Sequence, residues 1–352
     1  MDPRDEPGDD VAELRANRET GMIVIHRPAR AAIPAGESLD RYLLPPGEAI
    51  PEDALWIDLI EPTREEDRLV ERHLSIEIPT REEMADIEPS EILYNENNAR
   101  YMTARVLCSS DTDSPKLIDV SFILTERALV TVRYGEPRSF SMFTARAGKP
   151  GGCRHQPEAV LDGLIETIID RAAEILGTVG QHIDRLSQSI FENEKKGTRR
   201  TASFRAALKS IGRKADVISN VRESMVSVER LLLFLSATMP RPQKSRGYQA
   251  EWRTALRDVQ SIEEHATFLS SKVQFLLDAT LGLVTIEQND VTKIFSVMSV
   301  IFLPPTLVSS LYGMNFRHMP ELEWDLGYPW AITLMILAAV VPYLIFRWKR
   351  WL

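Results

Sequence analysis

The sequence predicts an α/β cytoplasmic domain, then long helices, then a two-helix transmembrane segment, with one long continuous helix running from the second part into the third. Three observations predict it. Two apolar runs, Ile294 to Leu311 and Trp330 to Phe346, each approach the roughly 20 residues a helix needs to cross a bilayer core. Upstream of them, apolar residues recur every three or four positions over long proline-poor stretches. Upstream again, short β-rich runs alternate with helix-start signals.

Residues 1–20 are charged and poor in large apolar groups, so a flexible acidic terminus is expected. The α/β domain is assigned to 21–150. Met22 to Ile25 and Leu55 to Leu59 read as strands, and Thr63 with Glu66 makes a capping box opening a helix through His73. A second box, Thr80 with Glu83, opens a shorter helix ending before Pro89. Tyr101 to Cys108, Leu117 to Leu124 and Ala128 to Tyr134 are β-rich, the last two close enough to form a hairpin.

After the Gly148–Gly152 loop the character changes to long cytoplasmic helices, a coiled-coil-like stalk over 151–290. Leu161, Ile165, Ile168, Ala172, Ile175, Val179, Ile183, Leu186 and Ile190 form one apolar stripe. Gly197 breaks that helix, and a second runs from about Thr201 to Thr238, stopped by Pro240 and Pro242. The third has no proline from Ala250 until Pro304, and Leu256, Val259, Ile262, Leu269, Val273, Leu276, Leu283 and Ile286 hold its period. Continuous to Leu311, it would be a rod of about 90 Å. A kink near Gly282 or Pro304 is the alternative. The first transmembrane helix is then 291–311, an external loop 312–329, the second transmembrane helix 330–346, and a basic cytoplasmic tail 347–352.

Charge gives the orientation. The tail carries Arg347, Lys349 and Arg350, whereas the loop is net acidic through Glu321, Glu323 and Asp325 against Arg317. The positive-inside rule therefore predicts both termini in the cytoplasm. The N-terminus has no secretory signal pattern, so the large domain is not expected to be exported. The chain as a whole carries −9, made up of −11 over residues 1–290 and +2 from Val291 onward. Such a balance attracts cations and disfavours nucleic acid as a partner. Cys108 and Cys153 have no metal-knuckle spacing and read as plain thiols.

Within the first span the polar residues share one helical face. Asn289, Thr292, Ser296, Ser299, Leu303, Thr306 and Ser310 follow steps of three and four, with Ile294, Val297, Val300, Ile301, Leu307 and Val308 assigned to the opposite side. A hydroxyl and amide stripe on an apolar helix faces water or another helix; alternatively its hydroxyls bond back to their own helix. As a pore lining it suits a hydrated, hard cation such as Mg²⁺, which gives up water reluctantly. No His, Cys or acid lies on it, which disfavours a ligating zinc or copper path. Leu303, helped by Phe295 on the cytoplasmic side, is the expected hydrophobic gate. Two spans cannot enclose a pore, so a cyclic homo-oligomer is required.

Between the spans stands Tyr312-Gly313-Met314-Asn315-Phe316. With Asn289-Asp290, Met319-Pro320-Glu321-Leu322 and Gly327-Tyr328-Pro329, this motif resembles the CorA family of magnesium and cobalt transporters, bacterial branch. The likeness is strong over Asp278 to Leu352 and much weaker over 1–150. It implies a pentamer in the bacterial inner membrane that conducts Mg²⁺, with Co²⁺ and Ni²⁺ also passing. It places Asn315 at the outer pore mouth as the group that meets the hydrated ion, with Gly313 and Met314 shaping the turn. It also implies closure by cytoplasmic Mg²⁺, for which Asp278 is the candidate regulatory ligand. The zinc-transporting branch of the same superfamily and a non-conducting membrane-tethered sensor or scaffold are the alternatives. No enzyme motif is present: there is no phosphate loop, nucleophile elbow or His-Glu-x-x-His, so transport is expected to run downhill.

Overall fold

A computed structural model describes residues 21–29, 37–86, 88–109, 115–192, 200–238, 246–314 and 324–349. The chain divides into two compact units, Met1–Thr198 with Ala206–Leu276, and Arg199–Arg205 with Leu277–Leu352.

The first unit is built on a seven-stranded sheet: β1 (Met22–Pro28), β2 (Leu39–Leu43), β3 (Trp56–Ile60), β4 (Leu93–Glu96), β5 (Ala99–Cys108), β6 (Lys116–Leu124) and β7 (Leu129–Arg133). Their order is β2-β1-β3-β7-β6-β5-β4, and only the β3–β7 pair is parallel. The expected hairpin is β6–β7, with Val120 opposite Arg133. The edge strands β2 and β4 are absent from the sequence reading. Each is short and largely exposed, so neither carries the apolar alternation that marks a buried strand.

Both capping boxes form. Thr63 opens α1 (Arg64–Leu74), its backbone N–H donating to Glu66 Oε2 at 2.8 Å, and Thr80 opens α2 (Arg81–Met84) in the same way at 2.7 Å. A one-turn α3 (Pro89–Ile92) follows. Helix α4 (Arg138–Ala147) is a further addition; its N-cap is Pro137, which offers no capping side chain and hence no start signal.

Strand pleating sends alternate residues to two cores. Ile23, Ile25, Ile57, Leu59, Val130 and Val132 pack with Val70 of α1 and Met84 of α2. On the other face Trp56 meets Phe140 and Phe143 of α4, at ring separations of 6.1 and 5.6 Å.

That second face buries a polar network. The Arg133 guanidinium grips Asp58 from two nitrogens, Nε to Oδ1 at 3.0 Å and Nη2 to Oδ2 at 2.8 Å. Thr131 donates to Asp58 Oδ1 at 2.7 Å and accepts from the Trp56 indole at 2.9 Å. His26 stacks on Trp56 with ring centroids 4.0 Å apart. Burial alone would push the Asp58 carboxyl up, but Arg133 beside it and the hydrogen bonds from Arg133 and Thr131 hold it below the usual range.

Burial pushes the His26 imidazole down from 6.5 to about 3, with Arg41 and Arg133 adding to the effect and Asp58 opposing it. The unfolded chain takes up this proton near pH 6.5 and the folded chain does not until about pH 3. Its contribution to stability is therefore full above pH 6.5 and is lost as pH falls. By pH 5 the loss is about 2 kcal/mol. Replacing His26 with Phe keeps the ring stack and removes the titration. Unfolding curves at pH 7.5 and pH 5 should show that loss in the parent and not in His26→Phe; equal losses would exclude His26 as the cause.

Three long helices follow: α5 (Pro157–Glu192), α6 (Arg200–Thr238) and α7 (Arg246–Tyr312). The apolar stripe of α5 is buried from Leu161 to Ile190 apart from half-buried Leu186. Helix α7 runs 67 residues through Gly282, Pro304 and Pro305 without a break. Its Val259, Ile262, Leu269, Val273 and Leu276 are buried, but Ile286, assigned to the same stripe, is exposed.

The second unit contains the C-terminal part of α7 and the 22-residue α8 (Gly327–Trp348). Among the described residues these are the two helices long and apolar enough to cross a membrane. Only 6% of the apolar stretch is buried in each, which sets them apart from the core helices of a soluble protein.

Candidate functional site

The site lies along α7 beyond Asn289. Asn289, Thr292, Ser296, Ser299, Leu303, Thr306 and Ser310 are all exposed, Leu303 by 65%. On the other side of the helix Val297 is buried and Ile301, Pro304, Pro305 and Val308 are half-buried. At 100° per residue these two groups point in opposite directions. The polar stripe is thus part of the uncovered surface of this helix within its own unit, opposite its covered side. From Thr292 to Ser310 it extends about 27 Å, close to the depth of a bilayer core.

One sequence assignment needs correction. Val300 and Leu307 are exposed, and helical geometry sets them beside the stripe, not behind it. Ile294 does lie behind it by angle, yet it is exposed too, being a turn short of the covered segment. The covered face reduces to Val297, Ile301 and Val308 with the two prolines.

The hydroxyls have a definite orientation. Thr292 donates to the Gln288 carbonyl at 2.9 Å, Ser296 to Thr292 at 2.9 Å, Ser299 to Phe295 at 2.9 Å and Thr306 to Phe302 at 2.7 Å. Bonding back to the helix and lining a path are therefore compatible. A hydroxyl whose hydrogen is spent on a carbonyl presents its remaining lone pairs outward as acceptors. Such a face receives hydrogen bonds, which is what the outward-pointing hydrogens of a hydrated cation offer. Pro304 and Pro305 add acceptors elsewhere, toward the half-buried side of the helix on which they lie. Neither has an N–H, so the carbonyls of Val300 and Ile301 lack their i+4 donors. The stripe alone gave no sign of those two freed acceptors in mid-helix, although the two prolines were legible.

Leu303 sits on the stripe, and Phe295, exposed by 66%, flanks it about 12 Å along the axis. Exposed Leu307 borders the stripe on the other flank. Helix α7 ends at Tyr312, and the Gly313 N–H donates to the Ser309 carbonyl at 3.0 Å. A Cβ at Gly313 would come within 3.2 Å of that oxygen, so glycine relieves the close approach as the helix stops. Met314 is exposed. Asn315, Glu321 and Glu323 lie outside the described residues. Asp278 is exposed on α7, near the start of the second unit.

Comparison with known proteins places this geometry. Residues 51–350 match the family described as CorA-like Mg2+ transporter protein. A "Magnesium transport protein CorA" of Pasteurella multocida is 37% identical over 301 residues, covering 85% of this chain and 92% of that protein. The protein of the same description from Salmonella typhimurium is 35% identical over 302 residues with the same coverage. Among solved structures, the complete CorA magnesium transporter of Methanocaldococcus jannaschii superposes with a TM-score of 0.69 at 16% identity, over 95% of this chain and 99% of that one. The match begins at residue 51 and so includes most of the α/β domain, where the sequence motifs were weakest.

Proposed function

Since the chain belongs to the CorA family, we propose that it carries hydrated Mg²⁺ down its electrochemical gradient across the bacterial inner membrane, with Co²⁺ and Ni²⁺ as further substrates. The observation that carries this reading is the uncovered stripe of outward-facing acceptors on α7. Mg²⁺ holds its first-shell water tightly, so a wall that accepts hydrogen bonds from that water lets the ion pass without stripping it. Copies of α7 form the wall in a cyclic homo-oligomer, taken to be a pentamer, and α8 stands outside them facing lipid. Both termini are on the cytoplasmic side. The membrane potential supplies the driving force, about 2.3 kcal/mol per elementary charge per 100 mV.

Proteoliposomes with an inside-negative potential test the whole reading. Mg²⁺ influx is expected, with Co²⁺ and Ni²⁺ measurable and Zn²⁺ slower. Transport of Zn²⁺ without Mg²⁺ would place the protein in the zinc branch, and no flux of any ion would overturn the reading. Single cysteines at Ser296, Ser299 and Thr306 should react with a small water-soluble thiol reagent while one at Val297 does not. Equal labelling on both faces would remove the stripe from the conduction path.

Leu303 and Phe295 act as the gate, since a ring of apolar side chains closes a narrow pore by dewetting. Leu303→Ser is expected to leak ions under conditions that shut the parent protein; a flux identical to the parent's would move the gate elsewhere. Cytoplasmic Mg²⁺ favours the shut arrangement by bridging acidic residues of neighbouring copies, with Asp278 as one ligand. A ligand shifts such an equilibrium only through its differential affinity for the two states. Inhibition by internal Mg²⁺ that survives unchanged in Asp278→Ala would assign the sensor to other acids.

A further inference from the structure

The first unit contains a cavity that ion conduction leaves unused. It encloses about 390 Å³ on the sheet face beneath α2 and α3, beside the β4 edge. Glu77, Glu83, Asp86, Glu91 and Glu96 line it, and no basic side chain does so among the described residues. Five carboxylates around one opening repel one another unless a cation offsets them. Two of them are partly engaged: Glu83 accepts from Thr80, and Asp86 accepts from the Glu88 N–H at 3.0 Å.

The deep wall adds an independent sign of a ligand. Ser121 on β6 is 1% exposed, lines the cavity, and its Oγ has no hydrogen-bond partner. A buried hydroxyl left in that condition is destabilising, and a polar group entering the cavity would relieve it. Tyr94 and Tyr101 stack in the same wall, ring centroids 4.6 Å apart and nearly parallel. Burial chiefly, with Tyr101, Glu96, Glu83 and Glu77 adding to it, pushes the Tyr94 phenol up to about 12.

The arrangement discriminates between kinds of cation. Among the described residues no three acidic, His or Cys groups converge closely enough to hold one metal ion. The negative charge is spread along a wall and interleaved with aromatic rings. A point charge satisfies one part of such a wall, whereas a chain of ammonium groups satisfies several at once. Each ammonium brings donors for a carboxylate or hydroxyl, and the methylenes between them lie on the outer face of half-buried Tyr94, where cation–π attraction adds to the contact. The volume lies within the usual range for small-molecule sites.

We propose that the cavity lined by Glu77, Glu91, Glu96, Tyr94, Tyr101 and Ser121 binds a linear aliphatic polyamine. This site is separate from the conduction path and does not depend on the transport reading.

Equilibrium dialysis of labelled spermidine against the full-length protein in detergent tests it, at constant ionic strength. Saturable binding of one spermidine per chain is expected. The double variant Glu91→Gln with Glu96→Gln should weaken it about tenfold, the effect of losing charge-assisted hydrogen bonds. Tyr94→Leu should weaken it as well while preserving apolar packing. Mg²⁺ added at matched ionic strength should not displace the polyamine. Absence of saturable binding, an unchanged affinity in all three substitutions, or full displacement by Mg²⁺ would each overturn the proposal. Because the readout is binding, a failure here leaves the liposome flux result untouched, and the reverse holds too.

Discussion

Replacing Asn315 with alanine is expected to cut Mg²⁺ uptake about tenfold or more while leaving folding and assembly unchanged. The residue follows Gly313 and Met314 directly after the end of α7, between the two apolar helices. Its amide oxygen can accept hydrogen bonds from water in the first shell of an arriving ion. In a cyclic oligomer one substitution removes that acceptor from every subunit at once. Losing even a single hydrogen bond to a charged or strongly polarised group costs about 1.5–3 kcal/mol, or roughly ten- to a hundredfold. Liposome flux, paired with size-exclusion chromatography to check assembly, measures this. Normal uptake by a correctly assembled variant would take Asn315 out of the conduction site.

The largest effect on stability is expected at Asp58. Removing its carboxylate with alanine leaves the Arg133 guanidinium buried without its counter-charge, and also frees the Thr131 hydroxyl. Breaking a buried ion pair in this way costs about 3–5 kcal/mol, a large share of what a typical domain has. The pair need not itself be strongly stabilising, because taking both charges out of water is expensive. Asp58→Leu combined with Arg133→Met should therefore recover most of the loss. Denaturant unfolding followed by circular dichroism distinguishes the outcomes. A double variant as unstable as Asp58→Ala would mean that the cost comes from packing or from Thr131, not from an uncompensated charge.

Much of this molecule is legible in its sequence, and for local reasons. The capping boxes at Thr63 and Thr80 form because donor and acceptor lie three residues apart and find each other within one helical turn. Helix α7 persists through its two prolines because flanking turns, apolar on nearly every side, keep the remaining ladder. The stripe from Asn289 to Ser310 could be read by counting, since helical period alone fixes which residues share a face. What escaped were elements without a local signal. Strands β2 and β4 exist because a neighbouring strand offers them hydrogen bonds, and α4 exists because Phe140 and Phe143 have Trp56 to pack on.

The sequence by itself determined that two C-terminal helices are apolar enough to span a membrane, which face of the first is polar, and which motif lies between them. Each is a property of composition and period within one segment. Only the tertiary structure decided which residues of α7 are covered, burying Val297 and leaving Ile294 on the same side exposed. It also decided that the hydroxyls of Thr292, Ser296, Ser299 and Thr306 spend their hydrogens on the helix and offer lone pairs outward. Asp58 and Arg133 lie 75 positions apart in sequence, and Ser121 and Glu77 reach a common cavity from separate elements. Such meetings depend on strand order and helix placement, which arise from the burial of the whole domain's apolar surface and from no single stretch of chain.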